Sequence, residues 1–166
     1  DVAFGMRSRI QDPTAELGEL YRRMMFNVLI QTTDDHLRNL GFLYRGNGTS
    51  RLSPAYDVNP VPEETTLKTA ILEIHGNALD IDAVVEVSEY FDVKADAATR
   101  MASAMAQTVR TEWKALGEWL GMTAIDVKAI APAMENHQIE RAIAMTASLP
   151  AGASLPAEDG IPTLSP

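Results

Sequence analysis

Two short stretches of this chain gather most of the groups able to do chemistry: Thr32-Thr33-Asp34-Asp35-His36-Leu37-Arg38-Asn39, and further on Leu52-Ser53-Pro54-Ala55-Tyr56-Asp57. A carboxylate held against a hydroxyl can orient it and take its proton. Imidazole and guanidinium groups can contact anionic oxygen, guanidinium through a planar fork. Polar loops also exist merely to join helices, so composition alone leaves both readings open. Spacing adds information. Asn39 and Asp57 are equidistant from Gly48, within Gly46-Asn47-Gly48-Thr49-Ser50, whose residue types read as a hairpin turn. If residues 40–45 and 51–56 pair about that turn, Asn39 and Asp57 face each other at the hairpin base, with Cα atoms about 4.5–5.5 Å apart. A carboxamide oxygen beside a carboxylate suits a hard cation such as Mg²⁺, which completes its shell with water and phosphate. A single bulge would upset that register.

Asp34 precedes Asn39 by the spacing that separates catalytic aspartate from metal-binding asparagine in the protein-kinase loop H-R-D-x-x-x-x-N, and Asp57 falls where the D-F-G aspartate would. The segment F-N-V-L-I-Q-T-T-D-D-H-L-R-N-L-G-F-L-Y, followed by R-L-S-P-A-Y-D-V-N-P, resembles the signature of HipA-type serine/threonine kinases, T-D-x-H-x-K-N and then P-x-Y-D. The resemblance is dense over residues 19–62 and continues, less specifically, to about residue 145. It implies a mainly α fold: the helical C-lobe of a protein-kinase-like domain over residues 1–147, with a small β-hairpin carrying the metal site. It also implies roles. Asp34 becomes the catalytic base, Asn39 and Asp57 the metal ligands, and His36 and Arg38 neighbours of the nucleotide phosphates. Tyr56 joins the cofactor-binding set by packing beneath the metal-binding loop and fixing Asp57. Arg38 departs from the commoner lysine, keeping its charge but not its shape. The implied cofactors are ATP and Mg²⁺. The implied partners are a protein substrate, an aminoacyl-tRNA synthetase in the best-known kind, and a DNA-binding antitoxin of the HipB type.

These groups need elements to hold them. Asp12 can cap a helix with Pro13 in its first turn, and Leu17, Leu20, Tyr21, Met24 and Val28 then recur at helical spacing. This helix is apolar nearly all round from Phe26 to Ile30, predicting burial on several sides and an end near Gln31. The first eleven residues show no clear periodicity. Residues 69–74 form a short strand candidate. A helix is expected over 81–91 after Asp80, a long one over 96–120 ending at Gly121, and another from Thr123 to about 147, interrupted or kinked by Pro132. The tail, residues 148–166, is rich in Pro, Gly and Ala and predicts disorder.

The net charge of −9 and the absence of cysteine exclude a general nucleic-acid binder, disulfides and thiolate metal sites. No apolar run is long enough to span a bilayer, and nothing at the N-terminus has signal-peptide form, so a cytoplasmic protein is expected. Arg7, Arg9, Arg22, Arg23 and Arg38 are either scattered solvated charge or a positive field beside a phosphate site. Asp35 reads as a solvated neighbour of Asp34 or a loop hydrogen-bonder, His75 and His137 as ordinary histidines, and Trp113, Trp119 and the methionines as core. No glycine-rich loop occurs and no lysine precedes Asp34, so the resemblance implies a nucleotide-gripping N-lobe outside this chain and an inactive isolated fragment. Two alternatives stand: a non-catalytic partner-binding helical module, and a metal-dependent hydrolase that would need Asp34, Asp35, His36 and Asp57 clustered about one point.

Overall fold

A computed structural model describes residues 2–62, 66–68 and 76–148. It is mainly helical with one two-stranded antiparallel sheet. Helix α1 (Val2–Arg9) was not expected from the sequence. Its buried face consists of Ala3 and Met6, continued by Ile10, a helically spaced signal too short to register against eight residues of mixed polarity. Helix α2 (Pro13–Leu29) is the central element. Asp12 accepts a bond from the Ala15 amide at its start, and Leu17, Tyr21, Met25, Val28 and Leu29 are buried along it. Each such side chain contributes about 1.5–3 kcal/mol of burial, so this stripe fixes the orientation of α2.

Strands β1 (Phe42–Gly46) and β2 (Thr49–Leu52) follow. Residues Asn47 and Gly48 both adopt positive φ, +52° and +75°, the conformation a two-residue Asn-Gly hairpin turn demands. Two contacts pin the hairpin, one to α2 and one to the segment before it: the Glu16 carboxylate accepts the Leu52 amide at 2.7 Å, and Gln11 donates its amide to the Ser50 carbonyl at 3.2 Å.

Helix α3 (Ile81–Glu86) is capped by Asp80, but it gives way to a separate 3-10 turn over Ser88–Phe91 rather than running on to Phe91. Helix α4 (Ala95–Trp119) ends as expected, with Gly121 at φ +88°. Its buried face is Ala98, Ala102, Ala106, Val109 and Trp113, and small side chains here let α6 approach closely. Trp119, expected in the core, is 78% exposed. Six residues at about 100° each carry it roughly a third of a turn away from Trp113. After Thr123 the chain is interrupted into α5 (Ala124–Met134) and α6 (His137–Met145), but not at Pro132. Pro132 is accommodated inside α5; the break comes at Asn136, which caps α6. The expected strand over 69–74, His75 and the tail from residue 149 lie outside the described residues. Among those described, no helix is long and apolar enough to cross a membrane.

The main core joins α2, α3, α4 and α6, and a smaller cluster joins α1, the start of α2 and Leu52. Asn136 ties the first of these together. Its Oδ1 accepts the Gln138 and Ile139 amides, while its Nδ2 donates to the carbonyls of Ala133 and, from α2, Leu29 at 2.8 Å. Asn136→Ala should destabilise the domain by about 2–3 kcal/mol, combining a lost cap with a stranded buried carbonyl, and lower Tm by roughly 5–10 °C. Asn136→Asp should recover the capping part but not the Leu29 bond; calorimetric melting of both variants checks this.

Candidate active site

The polar loop leaves α2 through a buried exit. Ile30, Gln31, Thr32 and Thr33 are all buried although none is helical, and Gln31 takes a left-handed φ of +55° to break the helix. Buried backbone must be hydrogen-bonded. The Thr32 amide returns to the Asn27 carbonyl at 2.8 Å, the Gln31 carbonyl accepts the Val61 amide at 3.0 Å, and the Thr33 carbonyl accepts the Lys68 amide at 3.0 Å. Asp34 is thus the first residue to emerge from a backbone gripped on several sides.

Asp34 is half exposed, and its carboxylate meets Lys68 Nζ at 2.8 Å and His36 Nε2 at 3.9 Å. The hydrogen bond from Lys68 holds its carboxyl below the usual carboxylate range, with the charges of Lys68, His36 and Arg38 acting in the same direction against partial desolvation. Asp35 points the other way: burial pushes its carboxyl up, opposed by a hydrogen bond from Asn27 and the charge of His36. Asp35 therefore ties the loop back to α2, the second of its two sequence readings, rather than standing as a solvated neighbour of Asp34. His36 Nδ1 is buried without a partner among the described residues. A 3-10 turn over Leu37–Asn39 then curls back, so that Asn39 Nδ2 donates to the Asp34 carbonyl at 3.1 Å. Asn39 thereby locks the loop, and its Oδ1 keeps its acceptor capacity.

The hairpin does not pair as its symmetry suggested. Phe42 pairs with Leu52, Leu43 with Arg51 and Tyr44 with Ser50, but Gly46 with Thr49, leaving Arg45 as an extra residue in β1. The turn centres between Asn47 and Gly48 rather than on Gly48, and the bulge adds a further shift in the same direction. The Ser53 amide bonds the Gly41 carbonyl at 2.9 Å, and continuing that register sets Ala55, not Asp57, across from Asn39. Asp57 is reached by another route. Tyr56 lays its ring against Gly41 and donates its hydroxyl to the Arg38 carbonyl at 2.8 Å, which joins the residue before Asp57 to the residue before Asn39. Asp57 itself takes φ +57°, and its Oδ1 accepts Asn59 Nδ2 at 2.7 Å.

Were Asn39 and Asp57 to share a cation, they would offer it a carboxamide oxygen and a carboxylate oxygen, a donor pair that suits Mg²⁺ with most of its shell left to water and phosphate. Among the described residues, no three His, Asp or Glu side chains converge closely enough to hold a metal ion. The cluster required by the hydrolase alternative is not formed there. Nor do the arginines make one positive field: Arg7 pairs with Asp92, and Arg22 and Arg23 both pair with Glu19. Arg38 stays exposed beside the loop. Lys68 escaped the sequence reading altogether. It is the only lysine before Lys94, but no spacing rule links it to Asp34. Gly41 and Glu16 likewise acquire their roles only through contacts distant in sequence.

The fold defines a mainly helical domain with one small antiparallel sheet, and comparison with known proteins gives the family. The sequence profile of the HipA-like C-terminal domain matches residues 2–113, and the chain belongs to that family. It is similar to a Sinorhizobium fredii protein named "Putative kinase Y4dM", 28% identical over 133 residues, covering 77% of this chain and 32% of that one. It is also similar to a Haemophilus influenzae protein named "Putative kinase", 40% identical over 52 residues, covering 30% of this chain and 15% of that one. The matches thus span about a third or less of these relatives' own lengths. No solved structure matches the chain significantly.

The packing of Tyr56 against the loop depends on Gly41. A Cβ there would lie 2.7 Å from Ser53 Oγ, 3.2 Å from Ser53 Cβ and 3.3 Å from Tyr56 Cε1. Gly41→Ala should therefore lower stability by about 1–3 kcal/mol, the scale of overpacking, measured as a reduced urea midpoint. An unchanged midpoint would mean that Ser53 and Tyr56 yield freely.

Proposed function

We propose that this chain is the catalytic-loop-bearing C-lobe of an ATP-dependent serine/threonine protein kinase of the HipA toxin type, working within a longer protein in the cytoplasm. The observation that supports the reading is that hydrogen bonds tie three segments to one another. Asp34 stands at the mouth of a buried exit, Asn39 is bonded to the Asp34 carbonyl, and the Tyr56-Asp57 pair is tied to the same loop through Arg38. Family membership and the names of the two relatives support it.

In this reading the Asp34 carboxylate orients a substrate hydroxyl and accepts its proton as the hydroxyl oxygen attacks the terminal phosphorus of ATP. Asn39 Oδ1 and the Asp57 carboxylate hold Mg²⁺, which when bound neutralises charge on the phosphates. His36 and the exposed Arg38 lie beside the phosphates, and Tyr56 keeps Asp57 in register with the loop. The protein substrate, an aminoacyl-tRNA synthetase in the best-known members, and a HipB-type antitoxin belong to this proposal as partners of the full-length protein.

The test uses full-length protein, with nucleotide affinity measured by calorimetry beside the rate of phosphate transfer. Asp34→Asn should cut transfer by about 10²–10⁴, the usual worth of a positioned acid or base, while Mg·ATP still binds. Asp57→Asn should weaken Mg·ATP binding by at least about tenfold, the scale for losing even indirect support of a bound metal. Asn39→Ala should follow Asp57→Asn more mildly. Normal turnover by Asp34→Asn would remove the base from the scheme and the scheme with it.

A further inference from the structure

Lys68 belongs to no part of the site described so far except through its contact with Asp34. Its location is nevertheless built. Its own amide bonds the Thr33 carbonyl at 3.0 Å, next to Asp34 in the chain. The preceding residue, Leu67, is buried, and its amide and carbonyl bond the Asn77 carbonyl at 2.7 Å and Asn77 Nδ2 at 2.8 Å. A side chain that starts from a backbone so fastened cannot wander from the loop, yet it ends in a half-exposed ammonium 2.8 Å from the Asp34 carboxylate. An exposed ion pair of this kind contributes little to stability, and the backbone bonds already anchor the segment. The ammonium sits on the carboxylate proposed as the base.

We propose that Lys68 is a catalytic residue that contacts the transferring phosphoryl group, pairing with Asp34 in the free protein and with the phosphoryl oxygens during transfer. This rests on the kinase reading above. A hydroxyl bound to Asp34 lies about 2.6–3.2 Å from its carboxylate, and a phosphorus in position for attack lies about 3–3.5 Å from that hydroxyl. The ammonium and the phosphorus are thus neighbours of one carboxylate. A four-carbon stem with rotatable donors can shift between the two partners. In the step, the hydroxyl oxygen forms a bond to the terminal phosphorus as the bond from that phosphorus to the bridging oxygen of ATP breaks. ADP leaves with the electron pair, and the hydroxyl proton passes to Asp34. Lys68 keeps its own proton throughout and balances the charge on the phosphoryl oxygens.

The discriminating measurement is binding to full-length protein of Mg·ADP alone and of Mg·ADP with aluminium fluoride, a mimic of the group in transfer. Lys68→Met keeps the stem and removes the charge. It should bind Mg·ADP as the unaltered protein does but lose about 10- to 100-fold in affinity for the aluminium fluoride complex, the scale of one charge-assisted hydrogen bond. Transfer should fall by a similar factor, and Lys68→Arg should recover part of both. Thermal melting should be unchanged, which separates the effect from misfolding. Equal losses for the two ligands, or none for either, would overturn the proposal while defects in Asp34→Asn and Asp57→Asn left the kinase reading intact. Normal transfer by those two variants would overturn the kinase reading and this proposal together.

Discussion

The structure turns on how α2 ends. A helix buried through its last turn must release its chain into the interior, where every carbonyl still needs a donor. Here the donors come from three separate places: Asn136 reaches Leu29, Val61 reaches Gln31, and Lys68 reaches Thr33. The left-handed Gln31 is tolerated because these contacts over-determine it. One consequence is mechanical. The junction between α5 and α6, the segment after Asp57, and the segment carrying Lys68 are all registered against the same few residues. The loop that begins at Asp34 inherits that rigidity, although Asp34, Leu37 and Arg38 are themselves exposed.

Rigidity of this kind matches what phosphoryl transfer asks of a protein, since the reaction is catalysed mainly by positioning and by fixed charge. The two halves of the candidate site approach through small, close contacts rather than through the strand ladder. Tyr56 crosses Gly41 to reach Arg38, and Asn39 folds back on Asp34. The hairpin serves as a spacer, held by Glu16 at one end and bulged at the other so that its symmetry no longer dictates which residues meet.

Much of this was legible in the sequence, for identifiable reasons. Strong periodicity and a clear cap announced α2, and the Asn-Gly pair announced the hairpin. The order and spacing of Asp34, Asn39 and Asp57 pointed to the family that the comparisons bear out. What escaped depended on contacts remote along the chain. Helix α1 shows too few apolar positions to stand out from its own residues. The register needed the Arg45 bulge, and Trp119 needed knowledge of where the partners of α4 stop. The split between α5 and α6 arose because Asn136, bonded across to Leu29, outweighs Pro132 as a breaker. Lys68 meets Asp34 only because Leu67 and Asn77 carry it there.

In the proposed kinase, a loop set by the buried exit of α2 would bring one carboxylate to the reacting oxygen and two other groups to the metal. The most direct measurement of this is a crystal structure of the full-length protein with Mg²⁺ and a non-hydrolysable ATP analogue. The account predicts Asn39 Oδ1 and an Asp57 carboxylate oxygen in the metal shell, at about 2.0–2.1 Å, with the Asp34 carboxylate outside that shell and facing the terminal phosphate. A metal held by Asp34 in place of Asn39 or Asp57, or a nucleotide bound away from this loop, would contradict it.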